Sequence, residues 1–442
     1  MRTFRKFLIW AIPVLVTSIL VVSSLPAETG AEGSVDSFPA ANKLDRESVK
    51  KAVKLIKEGR KIFRFDTFGS ESFWSDSLRI HEAVATVDPT TALAVGLKVD
   101  VNALPGEIRN ALASGAVDLT DPAVTKLLLE LNAVVGLKGT FNGVGDLSQV
   151  GITCALCHST VDDSFAPGIG NRLDGWANRD LNVGTIIGLA PNLQPFVDLL
   201  GVDEATVRKV LKSWGPGKFD ASLNLDGKAF RPDGKAAAVL IPPAFGLAGI
   251  NLHTWTGWGS VAHWNAFVSN LEMGGTGTFI DRRLKNRKQF PIATKNKFYE
   301  VRNDPDLTTD KLAALHFYQL SLQAPEAPKG SFNETSAMRG EALFKGKARC
   351  ADCHVPPIFT EPGYNLHTPE EIGIDAFQAD RSPTKMYRTA PLKGLWTHTK
   401  GGFFHDGRFK NLKQVIDHYN EFFKLGLTKK EKNYLIEYLM SL

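Results

Sequence analysis

Cysteine is scarce: four in 442 residues, far too few for the disulfide-dense scaffold of a small exported domain. Charge of one sign is lacking as well, since 52 Lys+Arg against 47 Asp+Glu leaves +5. Arg2, Arg5 and Lys6 all precede the first acid, Glu28, and without them the balance is 49 − 47 = +2. Nothing in that balance calls for a nucleic-acid or anionic-membrane partner. Long hydrophobic runs are missing apart from FLIWAIPVLVTSILVVSSL at 7–25, which excludes a polytopic membrane protein. What is present, 43% hydrophobic and 22% charged residues, is ordinary for a globular chain and excludes disorder and collagen. At about 150 residues per domain, the length suggests two or three domains with substantial cores.

The basic stretch RTFRK (2–6), the apolar run behind it and the polar turn at Pro26, Ala27, Glu28 and Thr29 have the layout of a secretory signal peptide, residues 1–27. The alternative is an uncleaved anchor, because about 19 apolar residues can just span a bilayer. Pro13 and the Ser/Thr content favour cleavage. Either way the body of the protein is expected outside the cytoplasm, in the periplasm.

The cysteines are placed as Cys154-Ala155-Leu156-Cys157-His158 and Cys350-Ala351-Asp352-Cys353-His354, both C-x-x-C-H. Two disulfides do not explain a histidine following each pair. A zinc ribbon sets its pairs roughly 15–20 residues apart, whereas these are nearly 200 residues apart. A thioredoxin-like motif needs a βαβ context. Covalent haem c explains every residue: two thiols form thioethers to one porphyrin and the adjacent imidazole becomes the axial ligand of its iron. Two such groups are expected, at Cys154, Cys157 and His158 and at Cys350, Cys353 and His354.

An internal duplication supports the pairing. Gly59-Arg60-Lys61-Ile62-Phe63 and Gly340-Glu341-Ala342-Leu343-Phe344 precede the two motifs, and LTTDKLAALHFYQLSL (307–322) matches LTKKEKNYLIEYLMSL (427–442). The latter two read as amphipathic helices with N-cap threonines, the second with a Thr428/Glu431 capping box. QAPEAPKGSFNETS (323–336) reads as a linker. The expected organisation is mainly α, with two class-I cytochrome c-like domains. The first spans 45–322 and is enlarged by a mostly helical insertion at 67–150; the second spans 337–442. DPAVTKLLLELNAVVGL (121–137) is the helical pattern in the insertion.

With these residues in view, the chain resembles the bacterial di-haem cytochrome c peroxidases and the related methylamine-dehydrogenase maturation enzyme. Tyr387-Arg388-Thr389-Ala390-Pro391-Leu392-Lys393-Gly394-Leu395, Phe404-His405-Asp406-Gly407-Arg408 and Leu412 to Tyr419 look like that family's R-T-P-x-L-x-x-L, F-H-D-G and L-x-x-V-x-x-x-Y/M blocks. In 45–322 the likeness is patchy, clear at GRKIFRFD and Cys154–His158 and weaker around Ile241–Gly257. The resemblance implies that the haem at His158 meets peroxide and the haem at His354 relays electrons. Its sixth ligand for the relay haem falls on Tyr419, where peroxidases usually carry Met and the maturation enzyme carries Tyr. Met386 is the rival, since many small cytochromes use a Met downstream of C-x-x-C-H, and His418 and His405 are lesser ones. His405 is expected instead to support the haem pocket through a hydrogen bond.

HTWTGWGSVAHWNAFVSNLEMGG (253–275) is the candidate distal segment, because peroxide cleavage needs an acid–base group near an open iron position. Trp255-Thr256-Gly257 resembles the family's W-D-G, whose Trp lies between the haems. Glu272 before Met273-Gly274 resembles the distal glutamate of N-P-V-E-M-G. Two departures stand out: Thr256 replaces the acid, and Ala262 occupies the position of the family's distal Gln. His253, His263 or Met273 are therefore alternative iron caps. Asn171 stands where some peroxidases carry a switchable His. The expected function is a periplasmic di-haem oxidoreductase that reduces hydrogen peroxide, or oxidises a related substrate, with electrons from a small cytochrome c or cupredoxin. The competing expectation is a non-catalytic di-haem electron carrier. Oxidation of a protein substrate, suggested by Tyr419, is a third.

Overall fold

A glycine in mid-helix costs stability unless the neighbouring backbone comes close enough to use the missing side chain, and here two glycines do the same work. Gly59 lies in the helix Lys43–Phe65, and a Cβ on it would fall 1.9 Å from the Ala314 carbonyl oxygen and 2.7 Å from Tyr318 Cβ, in the helix Leu312–Ser321. Gly340 lies in the helix Glu334–Lys345, where a Cβ would fall 2.0 Å from the Tyr434 carbonyl oxygen and 2.7 Å from Tyr438 Cβ, in the helix Lys429–Ser441. Four residues after each glycine stands a fully buried phenylalanine, Phe63 or Phe344. Phe63 meets Tyr318 edge-on at 5.5 Å and 63°, and Phe344 meets Tyr438 at 5.2 Å and 68°. The duplicated sequence thus builds one helix crossing twice.

The computed structural model describes residues 43–442, so the expected export segment 1–27 lies outside the described residues. Residues 51–442 form one compact unit; of the other unit, 1–50, the described part is the opening of the first helix. The fold is mostly helical, and its five sheets are two-stranded pairs. Among the described residues no helix is long and apolar enough to cross a membrane.

Capping differs between the duplicated ends. Thr428 and Glu431 form the expected capping box, and Glu431 also pairs with Lys347 at 2.8 Å. Thr308, however, is no cap. Its hydroxyl donates to the Thr276 carbonyl, and the helix starts at Leu312 after a turn at Thr309–Lys311. The Asp306 carboxylate takes the Thr308 and Thr309 amides instead, each at 2.9 Å.

The 67–150 region has short helices, among them Pro89–Ala94 and Pro122–Glu130, each opened by a capping aspartate and a proline in its first turn. The helical pattern of 121–137 stops at Glu130, because Asn132 (φ 54°) and Gly136 (φ 84°) turn the chain into the strand Leu137–Phe141. That strand pairs antiparallel with Leu147–Ile152 in the register Leu137↔Ile152. The hairpin leads straight into the first motif: a Cβ on Gly136 would lie 2.1 Å from Leu156 Cα. Buried Ser75 and Ser70 accept the Val150 and Ile152 amides at 2.7 and 3.1 Å, and so anchor its second strand.

The C-terminal part is fastened to residues 218–257 by ion pairs and backbone bonds. Arg381, wholly buried, reaches Asp226 at 2.8 Å and Asp220 at 2.9 Å. Arg231 pairs with Asp375 and Asp406 at 3.0 Å each, and Lys218 donates to the Asp406 carbonyl at 2.8 Å. The Leu240 amide donates to the His405 carbonyl at 2.7 Å and the Arg388 amide to the Trp255 carbonyl at 2.9 Å. Removing one member of a buried ion cluster leaves uncompensated charge. Arg381→Met, which strands Asp220 and Asp226, is therefore expected to cost about 3–5 kcal/mol at neutral pH. Denaturant titration checks this, and a loss below about 1 kcal/mol, the range of exposed pairs, would refute it.

Candidate functional site

Each motif sits on a single tight turn. In the first, Cys154 precedes the one-turn helix Ala155–His158. The Asn178 amide donates to the Cys157 carbonyl at 2.9 Å and the Gly175 amide to the His158 carbonyl at 2.8 Å. In the second, Arg349 (φ 55°) opens the turn Cys350–Asp352, and the His354 amide closes onto the Cys350 carbonyl at 2.9 Å.

The two imidazoles are held alike. His158 Nδ1 lies 3.1 Å from the Pro242 carbonyl oxygen, and His354 Nδ1 lies 3.2 Å from that of Phe359. A histidine that donates from Nδ1 to a carbonyl presents an unprotonated Nε2, as a metal-ligating histidine does. Burial pushes both imidazoles down to about 4, which keeps them neutral. Burial also pushes Cys154, Cys157 and Cys350 up to about 12 and raises Cys353. A dithiol redox motif needs the opposite, a depressed thiol. No cysteine is in a disulfide. Thiol pair, neutral imidazole and free Nε2 together fit a haem c at each motif.

Tyr419 projects from the helix Leu412–Phe422. Burial raises its phenol, and Cys353 and Cys350 add to the shift. Its ring lies between Phe404 and Phe423, each 5.8 Å away. Met386 is half-buried, and its backbone amide reaches Thr384 Oγ1 at 3.5 Å. His418 packs among Phe404, Phe409 and Phe422. The His405 ring stacks on Tyr387 (5.1 Å, 25°), and its buried Nε2 has no hydrogen-bond partner among the described residues. Its backbone carbonyl holds Leu240.

Trp255 lies where the two halves meet. Its Nε1 donates to the Leu240 carbonyl at 2.8 Å and its own carbonyl accepts the Arg388 amide. Leu240 is two residues before Pro242, which holds His158. Past Arg388, the Thr389 carbonyl accepts Thr360 Oγ1 at 2.5 Å, next to Phe359, which holds His354. Trp255 is thus in a continuous bonded chain between the two imidazoles.

Glu272 ends the turn Val268–Glu272 and is buried with neither carboxylate oxygen hydrogen-bonded. Burial, then the nearby charge of Asp220, holds its pKa well above the carboxylate range. It borders a cavity of about 200 Å³ with Trp74, Trp214, Asp220, Asn224 and Asn270. Neither Trp255 nor a residue of the first motif lines that cavity.

The alternative iron caps lie in different surroundings, and His253 Nδ1 and His263 Nε2 are buried without hydrogen-bond partners among the described residues. His253 Nε2 lies 3.1 Å from the Ile250 carbonyl oxygen. His263 packs among Trp258, Trp264 and Phe279 and faces Asp281 at 3.5 Å. Met273 is buried, its carbonyl accepting Trp74 Nε1 at 2.8 Å. Asn171 Nδ2 binds Asp162 at 2.9 Å. One cluster has no sequence signal. Glu361 takes His367 Nε2 at 2.7 Å and the Thr389 hydroxyl, and the donor atoms of Cys353, Glu361 and His367 lie within 4.8 Å of one another. No spacing rule links positions 353, 361, 367 and 389.

No family model matches the chain. Curated sequence similarity supports the bacterial di-haem cytochrome c peroxidase superfamily, in patches rather than along the whole chain. The relative concerned is the methylamine utilization protein MauG of Methylorubrum extorquens, 29% identical over 203 residues, which cover 40% of this chain. The match takes in 54% of MauG, so the chain spans about half the length of that relative. Among solved structures, a MauG-like protein associated with microbial copper homeostasis aligns over 48% of this chain and 76% of its own, at 18% identity and a TM-score of 0.32. A hydrazine synthase of Kuenenia stuttgartiensis, pressurized with xenon, aligns over 48% and 75%, at 19% identity and a TM-score of 0.28.

A carboxyl whose folded pKa is raised withdraws stability once pH exceeds its unfolded pKa, near 4.3, until the folded pKa is reached. Glu272→Gln is therefore expected to leave the thermal midpoint nearly unchanged at pH 4 and to raise it at pH 8. Equal shifts at the two pH values would show that the carboxyl is not held neutral.

Proposed function

We propose that this protein is an exported di-haem c-type oxidoreductase that reduces hydrogen peroxide or oxidises a related substrate. The first motif provides the reacting site and the second the relay for electrons from a small cytochrome c or cupredoxin of the periplasm. The observation that carries the reading is the like hold on His158 and His354, each following a cysteine pair and each with Nδ1 on a backbone carbonyl. Cys154 and Cys157, and Cys350 and Cys353, would attach the haems, and His158 and His354 would be the histidines that hold their irons. When bound, haem supplies a redox-active iron to each site.

The chain's own residues do the rest. Glu272, held neutral by burial, would give its proton to one peroxide oxygen and recover a proton from the other. Trp255 fixes the junction across which the sites communicate. Tyr419 offers a phenol oxygen to the second iron, and an anionic oxygen ligand favours lower potential than a thioether. Met386 is the rival ligand. The organisation proposed is an N-terminal haem domain at 45–322, a linker at 323–336 and a C-terminal haem domain at 337–442. A second reading, the di-haem electron carrier, draws on the cavity of Glu272, whose lining omits the first motif.

Electron paramagnetic resonance and optical spectra of the oxidised protein separate the two. The enzyme is expected to show one high-spin haem whose spectrum changes within seconds of adding peroxide. Two low-spin haems inert to peroxide would establish the carrier. Tyr419→Phe is expected to alter the spectrum of one haem; two unaltered spectra would remove Tyr419 as a ligand.

A further inference from the structure

Charged side chains are rarely buried without a partner of opposite sign, since the desolvation of a lone ion costs several kcal/mol. The enclosed arginines mostly obey this rule. Arg381 has Asp220 and Asp226, Arg172 has Asp100, Arg64 has Asp174, and Arg231 and Arg408 share Asp375 and Asp406. Arg179 and Arg388 do not. Among the described residues neither has a carboxylate within ion-pair distance, and Arg179 Nη1 and Arg388 Nε are buried with no hydrogen-bond partner. The acid next to Arg179, Asp180, is taken by Lys98 and Lys400 at 2.7 and 2.6 Å. Arg388 spends Nη1 on the Leu252 carbonyl at 2.6 Å, which leaves its positive charge unanswered.

Their positions are not random. Arg179 follows Asn178, whose amide is bonded to the Cys157 carbonyl, and its charge is felt by His158. A Cβ on Gly401 would come within 3.8 Å of its Nη1, which places the guanidinium where the two halves meet. Arg388 precedes Thr389, whose carbonyl holds Thr360 beside the His354 anchor. Both keep some accessible surface although burial pushes each down to about 10, as side chains bordering an internal space do. The unanswered guanidinium of Arg179 thus stands by the first motif, and Arg388 sends its own toward Leu252 from the segment that anchors His354.

Resting on the di-haem reading, we infer that Arg179 and Arg388 are the counter-ions of the haem propionates, Arg179 for the first haem and Arg388 for the second. The planar guanidinium suits a carboxylate better than an ammonium does. A cation at that place also favours the reduced, less positive form of the iron, so the two arginines are positioning residues that set potential as well as orientation.

The test is spectroelectrochemical titration of the purified holoprotein. Arg179→Leu is expected to lower the reduction equilibrium constant of the first haem at least tenfold, 59 mV for a one-electron couple, with the second moving less than threefold. Arg388→Leu is expected to do the reverse. Arg→Lys variants at the two positions keep the charge and are expected to stay within threefold, while shifting the propionate bending band of the affected haem in resonance Raman because the two-pronged hydrogen bond is lost. Should the leucine variants fail to accumulate, the Raman shift in the lysine variants decides alone. Potentials unmoved in both leucine variants, shifts confined to the opposite haem, or unaltered propionate bands in the lysine variants each overturn the assignment. Wild-type potentials that move with phosphate or chloride concentration at fixed ionic strength would give the arginines to a free anion and overturn it too. Purified protein without haem would instead sink the di-haem reading itself, so the two failures are distinct.

Discussion

Orientation of the two imidazoles is the constraint from which the rest of the site follows. A histidine ring on a short turn can rotate about two bonds, and a covalent tether through the neighbouring cysteines does not stop it. The Pro242 and Phe359 carbonyls do. Each fixes one nitrogen, chooses the tautomer and leaves the other nitrogen free. Because Pro242 belongs to the segment that also receives Trp255 and His405 through Leu240, the hold on His158 is part of the surface that joins the two halves. The two motifs therefore share a frame.

That frame is stiff for ordinary reasons. The glycine crossings at Gly59 and Gly340 bring helix backbones into contact and let Phe63 and Phe344 fill the space beneath. The Arg381 cluster adds charges that are satisfied only when the halves are docked, and the Arg231 pairs add a further link between them. Apolar packing supplies most of the stability in such a chain, while the buried ions restrict which dockings are tolerated, since any other leaves carboxylates unpaired.

Much of this was legible in the residues. The pentapeptides carried the haem reading because chemistry requires those residue types at that spacing, and the Gly-x-x-x-Phe pairs with their matching terminal helices carried the duplicated crossing. The helix at 122–130 was legible from the pattern of 121–137, but its end was not, because a left-handed Asn132 leaves no periodic mark. Thr308 misled for a related reason: threonine before a helix reads as a cap, and only the fold shows that Asp306 does the capping. The backbone bond from His405 to Leu240 had no mark in the sequence. Glu361 and His367 carried no signal, since long-range clusters are assembled by topology and not by spacing.

The hairpin 137–152 has a consequence for where the first motif lies. It presses Gly136 against Leu156 and runs directly into Cys154, while both cysteines of that pair keep some accessible surface. Any side chain at 136 would collide with the backbone between the two thiols, so one larger residue there is enough to displace the attachment turn without altering any of its five residues.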